Sequence, residues 1–137
     1  MTQSALPHIP VAALAFIRDR RMLMVTARGR DVIYLPGGKI DAGESAREAV
    51  IREVREEVGA ELIPETLHEY FDLALQAHGE PEGRLVEMRV FRGELATEPT
   101  PSSEVSALHW ASTADAPRCP PAGAAVLARL FADGLID

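Results

Sequence analysis

Three glutamates, Glu53, Glu56 and Glu57, fall within five residues near the end of a segment whose spacing predicts a helix. On a helix, Glu53 and Glu57 are one turn apart and Glu56 lies beside them, so like charges crowd one patch. The patch lies toward the helix C-terminus, where the macrodipole already disfavours negative charge. A divalent cation held between the carboxylates removes both costs, and hard cations such as Mg2+ favour oxygen donors of this kind. An isolated Glu-Glu pair is ordinarily just a solvated face, so the flanking residues must decide between the two readings.

Those flanks describe a well-bounded helix. Ser45 and Glu48 have the spacing of a capping box, in which each side chain satisfies a free backbone donor at the helix start. Ala46, Ala49, Val50, Val54 and Val58 can form an apolar stripe, and Gly59 is placed to end the helix in a left-handed conformation. Once that stripe is buried, the remaining faces carry Arg52, Glu53, Glu56 and Glu57.

The rest of the chain reads as strands and turns. Residues 2–10 read as an extended lead-in, and residues 11–17 as a buried strand. Asp19-Arg20-Arg21 forms a tight connection to a second strand at residues 22–27. A short strand at residues 32–35 ends at Pro36-Gly37-Gly38, and a turn runs through Asp41-Ala42-Gly43. Residues 67–76 alternate as a strand, with Leu67, Phe71, Leu73 and Leu75 on one side. His78-Gly79-Glu80-Pro81-Glu82-Gly83 then signals a turn into a return strand at residues 85–91, where Val86, Met88 and Val90 share a face. After a loop at residues 96–103, residues 105–110 read as a short strand. Pro120-Pro121 opens a last helix through Ala124, Val126, Leu127, Leu130 and Phe131. Periodicity alone gives an α/β or α+β domain with a mixed sheet, and residues 1–137 read as one domain.

Charge narrows the function. With 21 acidic against 14 basic residues and a net charge of -7, the chain lacks the basic face that nucleic acid or an anionic membrane requires. An acidic protein can still handle phosphorylated small molecules if metal ions mask both parties. Cys119 is the only cysteine, so no internal disulfide forms and a reducing cytoplasm is expected. The apolar run at residues 11–17 is too short to span a bilayer. His8, His68, His78 and His109 show no zinc-ligand spacing.

The pattern from Gly38 to Ala60 resembles the Nudix box. Gly38, Glu44, Arg52, Glu53, Val54, Glu56, Glu57 and Gly59 occupy its specified positions, and Ala60 stands where a bulkier aliphatic is usual. A Pro-Gly-Gly entry, Glu104 ahead of Trp110 and the closing helix are also similar to small MutT-like members. The resemblance implies a Nudix-type α/β/α sandwich with a mixed central sheet, and water attack on phosphorus that splits a P–O–P bond. It implies Glu53, Glu56, Glu57 and the carbonyl of Gly38 as ligands of Mg2+, with Mn2+ as its substitute. Arg52 then steadies the glutamates and Glu44 pairs with Arg52. Glu104 is the first candidate for a general base or distal metal ligand, and Glu57 is its rival. Arg28, Arg30 and Lys39 are candidates for phosphate contact, although Arg28 and Arg30 can equally be loop charges. Trp110 reads as a packing residue before a base platform. Glu87 either reaches the cleft or pairs with Arg89 or Arg92.

Features that mark ADP-ribose, dinucleoside polyphosphate, NADH and coenzyme A hydrolases in this family are absent at the corresponding positions. A nucleoside triphosphate, cut to monophosphate and pyrophosphate, is left as the leading substrate. Gly123 stands where 8-oxo-guanine sanitisers carry an asparagine, which argues against that specialisation. Two other readings stay open: hydrolysis of another diphosphate, such as ADP-ribose, a nucleotide sugar, a dinucleotide or an isoprenoid derivative, and a nucleotide-sensing module without turnover. The expected partner is a small-molecule diphosphate, bound by a monomer or a homodimer.

Overall fold

The computed structural model describes residues 7–137; the expected lead-in lies outside them as far as Leu6. The strands are β1 Ile9–Leu14, β2 Ile17–Arg18, β3 Arg21–Ala27, β4 Ile33–Tyr34, β5 Gly37–Lys39, β6 His68–Gln76, β7 Leu85–Arg92 and β8 Val105–Ala111. The helices are α1 Ala46–Val58 and α2 Pro121–Ala132, with short 3-10 turns at Pro64–Thr66 and Thr113–Arg118. One sheet has the order β5-β1-β7-β6, with β1 and β7 parallel and the other pairs antiparallel. In the second, β3 pairs with β2, β4 and β8, all antiparallel. The sheet system is therefore mixed, as expected.

Alternation along β1 and β3 builds two cores at once. Ala12, Leu14, Leu23 and Val25 join the buried stripe of α1. Their neighbours Ala13, Ala15, Met22 and Met24 turn the other way, onto Val126, Leu127 and Leu130 of α2. Successive strand side chains point to opposite faces, so a strand covered on both sides reads as an unbroken apolar run. This produces the α/β/α layering. Among the described residues, no helix is long and apolar enough to cross a membrane.

Helix α1 follows its sequence signals closely. Both halves of the Ser45–Glu48 capping box form, and Gly59 closes the helix at φ 61° with its N–H bonded to the Arg55 carbonyl. Ala46, Ala49, Val50, Val54 and Val58 are its buried residues. The β2–β3 hairpin turns on Asp19 and Arg20 at φ 52° and 62°, the left-handed pair that matches strand twist in a two-residue connection.

Three details depart from the sequence reading. The strand expected at residues 11–17 divides into β1 and β2, because the chain passes there from one sheet to the other. The Leu14 N–H meets the Pro36 carbonyl and the Ala15 N–H meets that of Phe91. Gly37 and Gly38, read as the end of the strand at residues 32–35, form a strand of their own, β5, and pair with Ala13 and Ala12. A register shift around Tyr70 breaks the expected alternation of β6. Leu67 packs on the α1 side while Phe71 and Leu73 face α2, so they do not share a side.

Candidate active site

Strand β5 lays bare backbone against the acidic face of α1. A Cβ on Gly37 would fall 2.3 Å from the Ala12 carbonyl oxygen, and one on Gly38 would fall 2.6 Å from Cδ of Glu53. Only glycine allows this approach. The Gly37 N–H donates to Oε1 of Glu57 at 2.8 Å. Burial pushes Glu57 up to about 8; the Gly37 N–H offsets part of this, and the charges of Glu53, Glu104 and Glu56 raise it further. Glu53 also lies above the usual carboxylate range, first through burial, with Glu56 and Glu104 adding to the rise and Arg52 opposing it.

Arg52 organises the rest. Its Nε and Nη2 fork the Glu44 carboxylate at 2.8 and 2.9 Å, and its Nη1 reaches both Glu53 and Glu56 at 2.8 Å. A planar guanidinium suits such a junction because its donors are fixed in direction. The fork, together with the Asp41 N–H, brings Glu44 down to about 2. Arg52 itself is raised by its three carboxylate partners. Nη2 also donates to the Lys39 carbonyl at 3.2 Å, tying α1 to β5.

Glu57 opens onto a cleft of about 490 Å3, whereas Glu44, Arg52, Glu53 and Glu56 do not line it. Its walls include Gly38, Lys39, Glu57, Arg30 and Glu104, so five of the residues singled out in the sequence meet there. Arg28 is not on the cleft wall; its Nε donates to the Ser103 carbonyl at 2.8 Å. Trp110 packs beside Phe16 under the Arg18 guanidinium, 4.9 Å from its ring centroid. Glu87 takes neither expected course, pairing with His8 while Arg89 pairs with Glu69.

The far wall was not legible beforehand. Tyr34 and His78 meet edge to face with centroids 6.4 Å apart, and both line the cleft. The Gln76 side chain staples the following turn, donating to the Pro81 carbonyl at 2.9 Å and accepting from the Gly83 N–H at 2.9 Å. Arg84 also faces the cleft. Its Nε is buried without a hydrogen-bond partner, and the nearest acid, Glu80, stands 3.6 Å away. The only sequence signal was the turn itself.

Among the described residues, no three His, Cys, Asp or Glu side chains converge into a finished ligand set. The cause is visible: one nitrogen of Arg52 holds both Glu53 and Glu56. The donor chemistry still fits a hard dication. The ligands on offer are all oxygen, two of the carboxylates are held above their ordinary pKa by burial and like charge, and Gly38 leaves room beside Glu53.

Fold and site together define an α/β/α domain organised around a partly desolvated carboxylate cluster on one helix. Residues 8–133 match the NUDIX domain family, and the chain belongs to it. A 58-residue stretch is 38% identical to YvcI, an uncharacterized Nudix hydrolase of Bacillus subtilis (strain 168); it spans 42% of this chain and 37% of that relative. Among solved structures, the fold is similar to the MutT NUDIX hydrolase from Burkholderia pseudomallei, with a TM-score of 0.76 at 24% identity over 91% of this chain and 99% of that one. It is also similar to the E. coli ORF135 protein, with a TM-score of 0.73 at 25% identity over 91% and 89% of the two chains.

Proposed function

We propose that this chain is a divalent-metal-dependent pyrophosphohydrolase that cleaves the P–O–P linkage of a nucleoside triphosphate, giving monophosphate and pyrophosphate. The observation that carries this reading is the pair Glu53 and Glu57, half-buried against the bare backbone of Gly38 and Gly37, with Glu57 on the wall of a cleft that also presents Arg30 and Lys39. Glu53, Glu56, Glu57 and the Gly38 carbonyl are the groups that would hold Mg2+. When bound, the ion neutralises phosphate oxygens and the charge that develops on them.

The protein's own part is positioning and proton handling. Arg30 and Lys39 draw the phosphate chain along the cleft toward the carboxylates. Glu104 lines the cleft together with Glu57 and accepts the proton from the attacking water. The water oxygen bonds to phosphorus, the bridging P–O bond breaks, and its electron pair leaves with the departing phosphate. Arg52 keeps the glutamates aligned by drawing on Glu44 from behind. Tyr34 and His78 offer aromatic surface for a planar base; this favours a nucleotide over an isoprenoid or simple sugar.

The test is a substrate panel of nucleoside triphosphates, ADP-ribose, dinucleotides and nucleotide sugars, run with Mg2+, with Mn2+ and with chelator. Metal-dependent release of pyrophosphate from a triphosphate is expected. Turnover confined to another diphosphate would replace the substrate, and no turnover at all would leave a nucleotide-sensing module.

A further inference from the structure

Arg28 sits among the loop cations that the sequence offers for phosphate contact, yet two of its donors are committed elsewhere. Its backbone N–H donates to the Glu104 carbonyl at 2.8 Å, and its Nε donates to the Ser103 carbonyl at 2.8 Å. The turn that carries Glu104 has weaker bonds of its own. The Glu104 N–H reaches Ser102 Oγ at 3.3 Å, and the Val105 N–H reaches the Ser102 carbonyl at 3.3 Å. By length, the two bonds from Arg28 are the stronger restraints.

A restraint is needed here. Glu104 and Glu57 line the same cleft, so their like charges repel one another. An unrestrained turn relieves that repulsion by relaxing outward. The segment leading to it is pinned upstream, where Arg18 forks Glu98 at 2.7 and 3.1 Å and the Thr100 N–H meets the Val58 carbonyl at 2.7 Å. The ladder between β3 and β8 shifts register between Thr26 and Ala27 and its last pair is Ala27 with Val105, so Glu104 lies just beyond it. There the bonds from Arg28 take over.

We propose that Arg28 is a positioning residue that clamps the turn at residues 102–105 and keeps the Glu104 carboxylate on the cleft wall that it shares with Glu57. The proposal rests on the reading of this site as a hydrolase centre. It makes Arg28 act through Glu104 rather than on phosphate.

The test is steady-state kinetics on a nucleoside triphosphate that the wild type turns over, with Arg28→Ala, Arg28→Lys, Glu104→Gln and the Arg28→Ala/Glu104→Gln double variant. Arg28→Ala should lower kcat about tenfold and leave KM within about twofold, since misplacing a reacting group costs rate rather than binding. Arg28→Lys, which can still donate to the Ser103 carbonyl, should recover most of the loss. In the Glu104→Gln background, Arg28→Ala should add nothing, because both changes disable one unit. A raised KM with kcat intact would make Arg28 a phosphate contact and overturn the proposal. So would independent, multiplying effects, or no effect. If the wild type turns over no substrate, the hydrolase reading fails on its own, and the clamp is read by amide hydrogen exchange. Glu104 and Val105 should then exchange about tenfold faster in Arg28→Ala and be restored in Arg28→Lys; unchanged exchange would overturn it.

Discussion

Glu57 concentrates the chemistry of the site in one side chain. Its carboxyl is raised from an ordinary value of 4.5 to about 8 by burial and by its acidic neighbours. In metal-free protein the native state therefore keeps a proton that the unfolded chain has lost, and stability falls as pH rises from about 4.5 to about 8. Glu53, shifted the same way, adds to that fall. Mg2+ competes with the proton, so the gain in Tm on adding Mg2+ should be larger at pH 8 than at pH 6. In Glu57→Gln both the metal-free decline and the pH dependence of the Mg2+ gain should shrink, while turnover drops by about two orders of magnitude or more with the fold retained. Thermal melts at several pH values with and without Mg2+, beside kinetics, check this. Gly38→Ala is a complementary probe. Its added methyl would lie 2.6 Å from Cδ of Glu53, so Mn2+ affinity measured by paramagnetic resonance should fall about tenfold or more.

At the scale of elements, legibility followed how local the determinants are. Helix α1 could be read from its sequence because its cap, its stripe and its closing glycine each act within a turn or two. β5 could not: Gly37 and Gly38 are poor strand formers, and what makes them a strand is the distant backbone of β1 and the Glu53 side chain. The register shift at Tyr70 was equally hidden, since it exists only in the pairing of β6 with β7. The same division holds for the site. The glutamates, Arg52 and Glu44 lie in one contiguous stretch and were all named, whereas Tyr34, His78 and Arg84 meet only through folding. Val54, fully buried in the stripe of α1, offers a test of the element itself. Val54→Ala should cost about 1–3 kcal/mol in chemical denaturation, as a buried large-to-small change. Because Val54 is buried in the α1 core and does not itself line the cleft, KM should stay near wild type.

Over the whole molecule, the two cores divide the labour. The α1 core fixes the carboxylates, and the α2 core steadies the strands behind the cleft. On the far wall of the cleft only Tyr34 packs against a core, that of α1, while His78, Glu80 and Arg84 lie on the rim, with the turn held by Gln76. Removing the ring in His78→Ala should therefore raise KM for nucleoside triphosphates severalfold, lower kcat little and leave Tm nearly unchanged. Kinetics on base-bearing substrates beside ring-free tripolyphosphate separate the effect, since tripolyphosphate should not notice the change.

Because β1 and β3 spend their odd and even positions on opposite cores, neither strand has an idle side where substitutions could accumulate without cost. Drift in substrate preference is thereby channelled to the stapled turn between β6 and β7. A new cargo could be accommodated there by exchanging a few rim side chains, while the hydrolytic apparatus and both hydrophobic layers stay as they are.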